Sequence, residues 1–193
     1  MNVARLLYPV RVLGPGDRIG LWVCGCSRGC EGCSNPELWE QRDEYEITLS
    51  ELLSLIQRIS VSHAVDGFTI SGGEPMDQAK ELSELIQQIQ VITDDILIYS
   101  GYKLEELKKR SDPYTEHILR TAAVLIDGAY IEELNQDSVL RGSSNQCVHI
   151  LNPKYQERYD HYFLTAHNQI QNFTTSNGIV SVGIHHRSFG PPL

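Results

Sequence analysis

An α/β fold is what this sequence predicts: an open, partial (β/α) barrel of about five to six units, its sheet mostly parallel, ending in a C-terminal β-hairpin. Three observations point there. Short apolar runs of strand length alternate with stretches whose apolar residues recur every three or four positions. Such alternation builds parallel sheets joined by helical crossovers. The distinctive residue strings fall where a strand run gives way to a turn, the end at which open sheets and barrels collect ligands. The tail carries two runs around Ser176-Asn177-Gly178, and Asn-Gly between alternating residues is a hairpin signal.

Each element has its own reason. Residues 18–23 form a strand that delivers the chain directly to a cysteine-rich loop. Residues 48–59 are helical, with Leu49, Leu52, Leu53, Ile56 and Ile59 on one face and a capping-box pattern of Thr48 and Glu51 at the start. A second strand, 67–71, ends at Gly72-Gly73-Glu74-Pro75. Residues 76–91 place Ala79, Leu82, Leu85, Ile86 and Ile89 on one helical face. A third strand spans 95–100, shorter helices span 103–110 and 113–122, and further strands span 123–127 and 147–151. Runs 170–175 and 179–184 flank the hairpin turn. Too few units are present to close an eight-stranded barrel. The whole reads as one domain, 1–193, with a core of about 18–151 and a C-terminal extension of about 152–193.

The chain has 193 residues, 41% of them hydrophobic, enough for a single core. A net charge of -9 with no dense Lys/Arg stripe argues against nucleic-acid binding. No apolar run is long enough to cross a membrane, and the start shows no signal-peptide pattern. Four of the five cysteines lie between residues 24 and 33. That crowding indicates metal binding in a reducing compartment rather than a disulfide framework, hence a cytoplasmic location.

Cys26, Cys30 and Cys33 read C-x3-C-x2-C among Gly25, Gly29 and Gly32. Three thiolates on a glycine-rich loop suit a [4Fe-4S] cluster, leaving one iron without a protein ligand. The rival is a zinc-stapled binding module using Cys24 as fourth ligand. Four cysteines within ten residues make a cramped tetrahedron, however, and Cys24 and Cys26, two apart in extended chain, point opposite ways. Cys24 then reads as a small buried side chain, and Cys147 likewise. Ser71-Gly72-Gly73-Glu74-Pro75 presents backbone amides and carbonyls to a ligand, suits an amino-acid head group, and uses proline to fix the helix entry.

The two strings together resemble the radical S-adenosylmethionine superfamily. More narrowly, the chain is similar to the glycyl-radical-enzyme activases of the anaerobic ribonucleoside-triphosphate reductase-activating protein family. Gly32-Cys33-Ser34-Asn35-Pro36, Ile98-Tyr99-Ser100-Gly101-Tyr102, Leu125-Ile126-Asp127-Gly128 and Arg141-Gly142-Ser143-Ser144-Asn145-Gln146 carry that narrower likeness. It implies metal ligation by Cys26, Cys30 and Cys33, and S-adenosylmethionine contacts from Gly32, Ser34, Ser71, Gly72, Gly73, Glu74, Pro75, Tyr99, Asp127 and Arg141. Superfamily members often carry an aromatic where Gly32 stands. Tyr99 or Tyr102 is the candidate to stack on adenine, or is a core aromatic. Asp127 can accept a ribose hydroxyl or start the Asp-Gly turn. Arg141 can meet the cofactor carboxylate or a partner, the polar string around it being unsuited to a core.

The resemblance also implies the reaction. A one-electron donor, flavodoxin or ferredoxin, reduces the cluster, and S-adenosylmethionine is cleaved to a 5'-deoxyadenosyl radical. The radical takes hydrogen from a glycine of a partner glycyl-radical enzyme, the large subunit of anaerobic ribonucleotide reductase. Another glycyl-radical enzyme, a peptide or a small molecule is the alternative substrate. No side chain is needed as acid or base, so no catalytic residue is assigned. The seven histidines, His185-His186 included, show no ligand spacing around a cysteine.

Overall fold

A computed structural model describes residues 1–175 and 178–185. Ser176 and Asn177 of the expected turn, and His186, lie outside the described residues. The order is β1 (Val3–Val10), β2 (Arg18–Val23), α1 (Leu49–Ser62), β3 (Gly67–Gly72), α2 (Ala79–Ile89), β4 (Ile96–Ser100), α3 (Leu104–Lys109) and α4 (Pro113–Thr121). Then come β5 (Val124–Asp127), β6 (Cys147–Ile150), α5 (Gln156–Thr165), β7 (Gln171–Thr175) and β8 (Gly178–Val182). Strands β1 to β6 form one sheet in sequence order. Its four central strands are parallel, whereas β1 and β6 run antiparallel at the edges. Strands β7 and β8 pair separately as an antiparallel hairpin.

The α/β class, the mostly parallel sheet and the C-terminal hairpin therefore stand. The strand-helix alternation is shorter than the expected five to six units. Helical crossovers join β2 to β3, β3 to β4 and β4 to β5, but residues 128–146 hold no α-helix and the chain returns antiparallel as β6. The Thr48 capping box forms: Thr48 Oγ1 accepts the Glu51 amide at 3.2 Å, and the Glu51 carboxylate accepts the Thr48 amide at 3.0 Å. The helix expected over 76–91 instead opens with a 3-10 turn, Pro75–Gln78.

Side chains alternate across the sheet. One face carries Ile19, Leu21, Phe68, Ile70, Ile96, Ile98 and Leu125, all buried against Leu52, Ile56, Leu82, Leu85, Ile86, Leu107 and Ile118 from α1 to α4. The other face carries Trp22, Leu97, Tyr99, Val124 and Ile126. It packs against Tyr155 and Tyr159 near and in α5, and against Val182 of β8. Four helices thus cover one face, while α5 and the hairpin cover the other.

At the amino-terminal ends of the parallel strands this second face is filled by a buried polar network. Arg18 has no solvent exposure. Its Nε donates to Thr69 Oγ1 at 2.7 Å, and its Nη2 donates to the Phe68 carbonyl at 2.6 Å and to the Asp95 carbonyl at 3.0 Å. Nη2 also lies 3.2 Å from Asp95 Oδ1, which accepts the Tyr159 hydroxyl at 2.7 Å. Gly67 makes the room: a Cβ there would sit 2.2 Å from the guanidinium. Buried charges persist only when paired and hydrogen-bonded in this way.

Candidate functional site

At the opposite, carboxyl-terminal ends of the strands lies a cavity of about 1080 Å³, at the upper end of ligand pockets of roughly 300–1,000 Å³. Cys26, Cys30, Gly32, Cys33, Ser34, Ser71, Gly72, Gly73, Glu74 and Tyr99 all line it. Ten of the thirteen residues singled out in the sequence are thus brought together.

The cysteine loop is held by its neighbours. The Gly25 amide donates to Leu38 O, and the Cys26 amide to Trp39 O, each at 2.8 Å. The Ser27 amide donates to Asp77 Oδ2 at 2.8 Å. Tyr102 completes the anchor, its hydroxyl donating to Asp77 Oδ1 at 2.8 Å and lying 2.9 Å from Ser27 Oγ. Cys26, Cys30 and Cys33 are each half-buried. The Cys26 and Cys33 sulfurs accept the Arg28 and Asn35 amides, both at 3.4 Å.

Cys24 is buried, and its thiol donates to the Glu40 carbonyl at 2.7 Å. A zinc tetrahedron with bonds near 2.3 Å needs sulfurs about 3.8 Å apart. Among the described residues, the group of three Cys, His, Asp or Glu ligand atoms converging within 4.8 Å is Asp127, Cys147 and His149, not the loop cysteines. A cube gripped at separate corners needs its thiolates further apart. The residues therefore fit a three-thiolate cluster better than a four-cysteine zinc site.

The glycine pair does more structural work than its exposure suggests. The Gly73 amide donates to Val23 O and the Glu74 amide to Gly25 O, both at 2.8 Å. Both amides are thus spent inside the protein, and what this turn can offer a ligand is carbonyl oxygen. A Cβ on Gly72 would meet Val23 O at 2.3 Å, and one on Gly73 would meet Gly25 O at 2.3 Å. The absent side chains let the turn close against the cysteine loop.

Glu74 is 1% exposed. Its carboxylate accepts Ser100 Oγ–H at 2.9 Å, the Met76 amide at 2.9 Å and the Gly101 amide at 2.6 Å. Burial pushes its pKa up to about 7, while those three donors pull the other way. It stitches the turn after β3 to the end of β4. Pro75 is buried at the first position of the 3-10 turn and does not line the cavity.

Two cavity-lining groups are unsatisfied. Tyr99 Oη and Trp39 Nε1 are shut off from solvent without a hydrogen-bond partner, which costs of the order of 1–3 kcal/mol each; the Tyr99 hydroxyl feels Tyr162, Tyr159 and Arg18 rather than the cysteine loop. Burial holds the Tyr99 hydroxyl far above its ordinary pKa. Of the two candidate stacking tyrosines only Tyr99 lines the cavity. The Tyr102 ring is taken up by guanidiniums, Arg28 at 4.7 Å and Arg110 at 3.9 Å from its centroid. Trp39 was not anticipated, since nothing in its local spacing marks it.

Two of the expected contacts, Asp127 and Arg141, lie off the cavity lining, and the burial expected of Cys147 needs correction. Asp127 does not line the cavity: it alternates with Leu125 and so faces the helix-covered side. Its Oδ2 accepts the Leu104 amide at 2.6 Å. Arg141 does not line the cavity either; Nη1 reaches the Gln146 carbonyl at 3.4 Å. Its string is not all surface, because Ser143 and Gln146 are buried. Gln146 Oε1 accepts the Gly142 amide at 2.8 Å, and Nε2 donates to Gly128 O at 2.8 Å, so the polar string folds into a knot with its partners inside it. Cys147 is exposed rather than buried, because β6 is an edge strand. The hairpin was not expected at the site, yet Asn172, Ile179, Val180 and Val182 form one cavity wall.

Comparison with known proteins adds to this geometry. Residues 12–149 match a family model described as a 4Fe-4S single cluster domain. The anaerobic ribonucleoside-triphosphate reductase-activating protein of Enterobacteria phage T4 is 34% identical over 151 residues, spanning 76% of this chain and 92% of that protein. Its counterpart in Escherichia coli K12 is 33% identical over 151 residues, 75% of this chain and 96% of that protein. That of Vibrio cholerae is 33% identical over 150 residues, 74% and 94% respectively.

Proposed function

Because this chain belongs to the family of anaerobic ribonucleoside-triphosphate reductase-activating proteins, and its residues 12–149 to the 4Fe-4S single cluster domains, we propose that it is a radical S-adenosylmethionine activase. It installs a glycyl radical on an anaerobic ribonucleotide reductase. When bound, the cluster and S-adenosylmethionine supply the chemistry: one electron cleaves the cofactor, and the 5'-deoxyadenosyl radical takes hydrogen from the partner's glycine.

The chain's own residues bind, orient and exclude water. Cys26, Cys30 and Cys33 hold the cluster. Carbonyls of the Ser71-Gly72-Gly73 turn receive the cofactor's ammonium, and Glu74 holds that turn in place. Gly32 and Ser34 contribute backbone and hydroxyl at the cluster's rim. Trp39 Nε1 supplies a polar contact to the nucleoside, and the Tyr99 ring offers a stacking face. Two cations line the cavity, Arg5 and Arg28; Arg5 is paired with Glu37, which leaves Arg28 for the cofactor carboxylate, with Arg141 close to the same end of the sheet as a further candidate. Trp22, Leu13 and Val182 keep the floor dry.

The wider reading follows from the same premise. The chain acts as a single domain, 1–193, with its sheet curved as a partial barrel; helices confined largely to one face support this. A flavodoxin or ferredoxin donates the electron, in the cytoplasm. No helix among the described residues is long and apolar enough to cross a membrane.

One observation carries the proposal: three half-buried cysteines and the unpartnered Trp39 Nε1 belong to the lining of one cavity at the carboxyl ends of parallel strands. The test is to mix anoxically reconstituted chain with the reductase, S-adenosylmethionine and a reductant. A glycyl doublet by electron paramagnetic resonance, with 5'-deoxyadenosine formed, is expected. Deoxyadenosine without the doublet points to another substrate, and neither product refutes the activase reading.

A further inference from the structure

We propose that Asp127, Cys147 and His149 form a second metal site, separate from the cavity, that takes one zinc ion. Asp127 at the end of β5 pairs directly across the antiparallel ladder with Cys147 of β6, and His149 follows two residues on. A period of two puts all three on one sheet face, the helix-covered face of Leu125 and not the cavity face. One ligand atom from each of the three lies within 4.8 Å of the others.

The contact between the two inner members is unusual. His149 Nε2 is 2.9 Å from Asp127 Oδ2, yet it is shut off from solvent and outside hydrogen-bond geometry. The imidazole nitrogen and the carboxylate are thus already side by side, and a small shift apart admits an ion between them. Asp127 is 4% exposed, and among the described residues its ion-pair partner is this histidine. A dication bound by one carboxylate and one thiolate neutralises that buried charge.

The donor set selects the metal. Sulfur, imidazole nitrogen and carboxylate oxygen together suit borderline-soft zinc, and three protein ligands leave a fourth position for water. The supporting contact is present as well. The Leu104 amide donates to Asp127 Oδ2 at 2.6 Å, fixing the carboxylate as outer groups fix ligands in metal sites. Zinc here ties the edge strand β6 to β5 and to the start of α3. Through the Gly128 amide, 3.3 Å from Tyr102 O, it also steadies the segment whose Gly101 holds Glu74. The site acts as a staple beside the cavity, and its existence does not depend on what the cavity binds.

The experiment uses anoxically reconstituted chain, its loop cysteines already loaded with iron, titrated with zinc against a chromophoric chelator. Iron and zinc per chain are measured along with thermal unfolding. One zinc beyond the iron is expected, with a rise in unfolding temperature by mass action. Cys147→Val, at an exposed strand position that tolerates valine, and His149→Ala should each weaken zinc binding by more than about 100-fold. Both should keep full iron and lose the temperature rise. No zinc uptake, uptake only with loss of iron, or unchanged uptake in both variants overturns the site.

Discussion

The two ends of the parallel strands hold opposite kinds of polar chemistry. At the amino ends, Arg18, Thr69, Asp95 and Tyr159 are buried and partnered with one another. At the carboxyl ends, Trp39 Nε1 is buried and partnered with nothing, beside three free thiols. Asp95 Oδ2 lacks a hydrogen bond but lies 3.4 Å from Arg158 Nε, so the first arrangement is closed by charge within the chain and serves stability. The second is incomplete, and buried polar groups are left so where something else is to satisfy them.

Breaking each end should therefore give a different phenotype. The largest effect is expected from Cys30→Ala, which should abolish both the cluster absorbance and 5'-deoxyadenosine formation with the fold intact by circular dichroism. Next is Arg18→Met, which removes the buried partner of Asp95 and leaves it Arg158, 3.4 Å from Oδ2; breaking such a pair costs about 3–5 kcal/mol, and the lower end is expected here. Urea unfolding should record that loss, while the cofactor cleaved per folded chain stays unchanged. A stability loss below 1 kcal/mol would mean the amino end is not the anchor described.

Glu74 sits between the two cases, buried at the open end but satisfied. Its folded pKa of about 7 lies above the ordinary 4.5, so the folded chain takes up a proton the unfolded chain has released. The stability from this group is thus full below pH 4.5 and is lost as pH rises to 7, by about 3 kcal/mol over that window. Glu74→Gln should flatten this slope in pH-dependent unfolding, because an amide does not titrate. An identical slope in the variant would contradict the burial argument.

The smallest effects should separate the two tyrosines. Tyr99→Phe removes an unpartnered hydroxyl and keeps the ring, so stability should hold or rise while cofactor affinity changes less than about twofold. Tyr102→Phe should lower stability by about 0.5–1.5 kcal/mol through the lost Asp77 bond. Calorimetric titration and unfolding of both variants would show whether these roles are reversed.

How legible each region was in the sequence follows its physics. The central strands and α1 declared themselves through apolar period and the Thr48–Glu51 cap, since both report local geometry. Strand β1 escaped notice because an edge strand containing Pro9 shows no clean alternation. Helix α5 escaped because it is polar almost throughout and fully buries only Tyr159. At the site, the cysteine spacing and the Gly72-Gly73 turn were readable. Trp39 and the hairpin wall were not, since they reach the cavity through tertiary packing. Asp127 shares a strand face with Leu125, two residues before it, so the period of two places it on the helix-covered side. Cys147 and the knot around Gln146 depend on where an edge falls, which no local pattern records.

The most direct measurement is the electron paramagnetic resonance spectrum of the reduced, reconstituted chain before and after S-adenosylmethionine is added. A cluster held by Cys26, Cys30 and Cys33 alone has an open iron, so its g values should shift on addition. A spectrum that does not move, or zinc in place of iron at these cysteines, would contradict an unfinished site at the carboxyl end of the sheet.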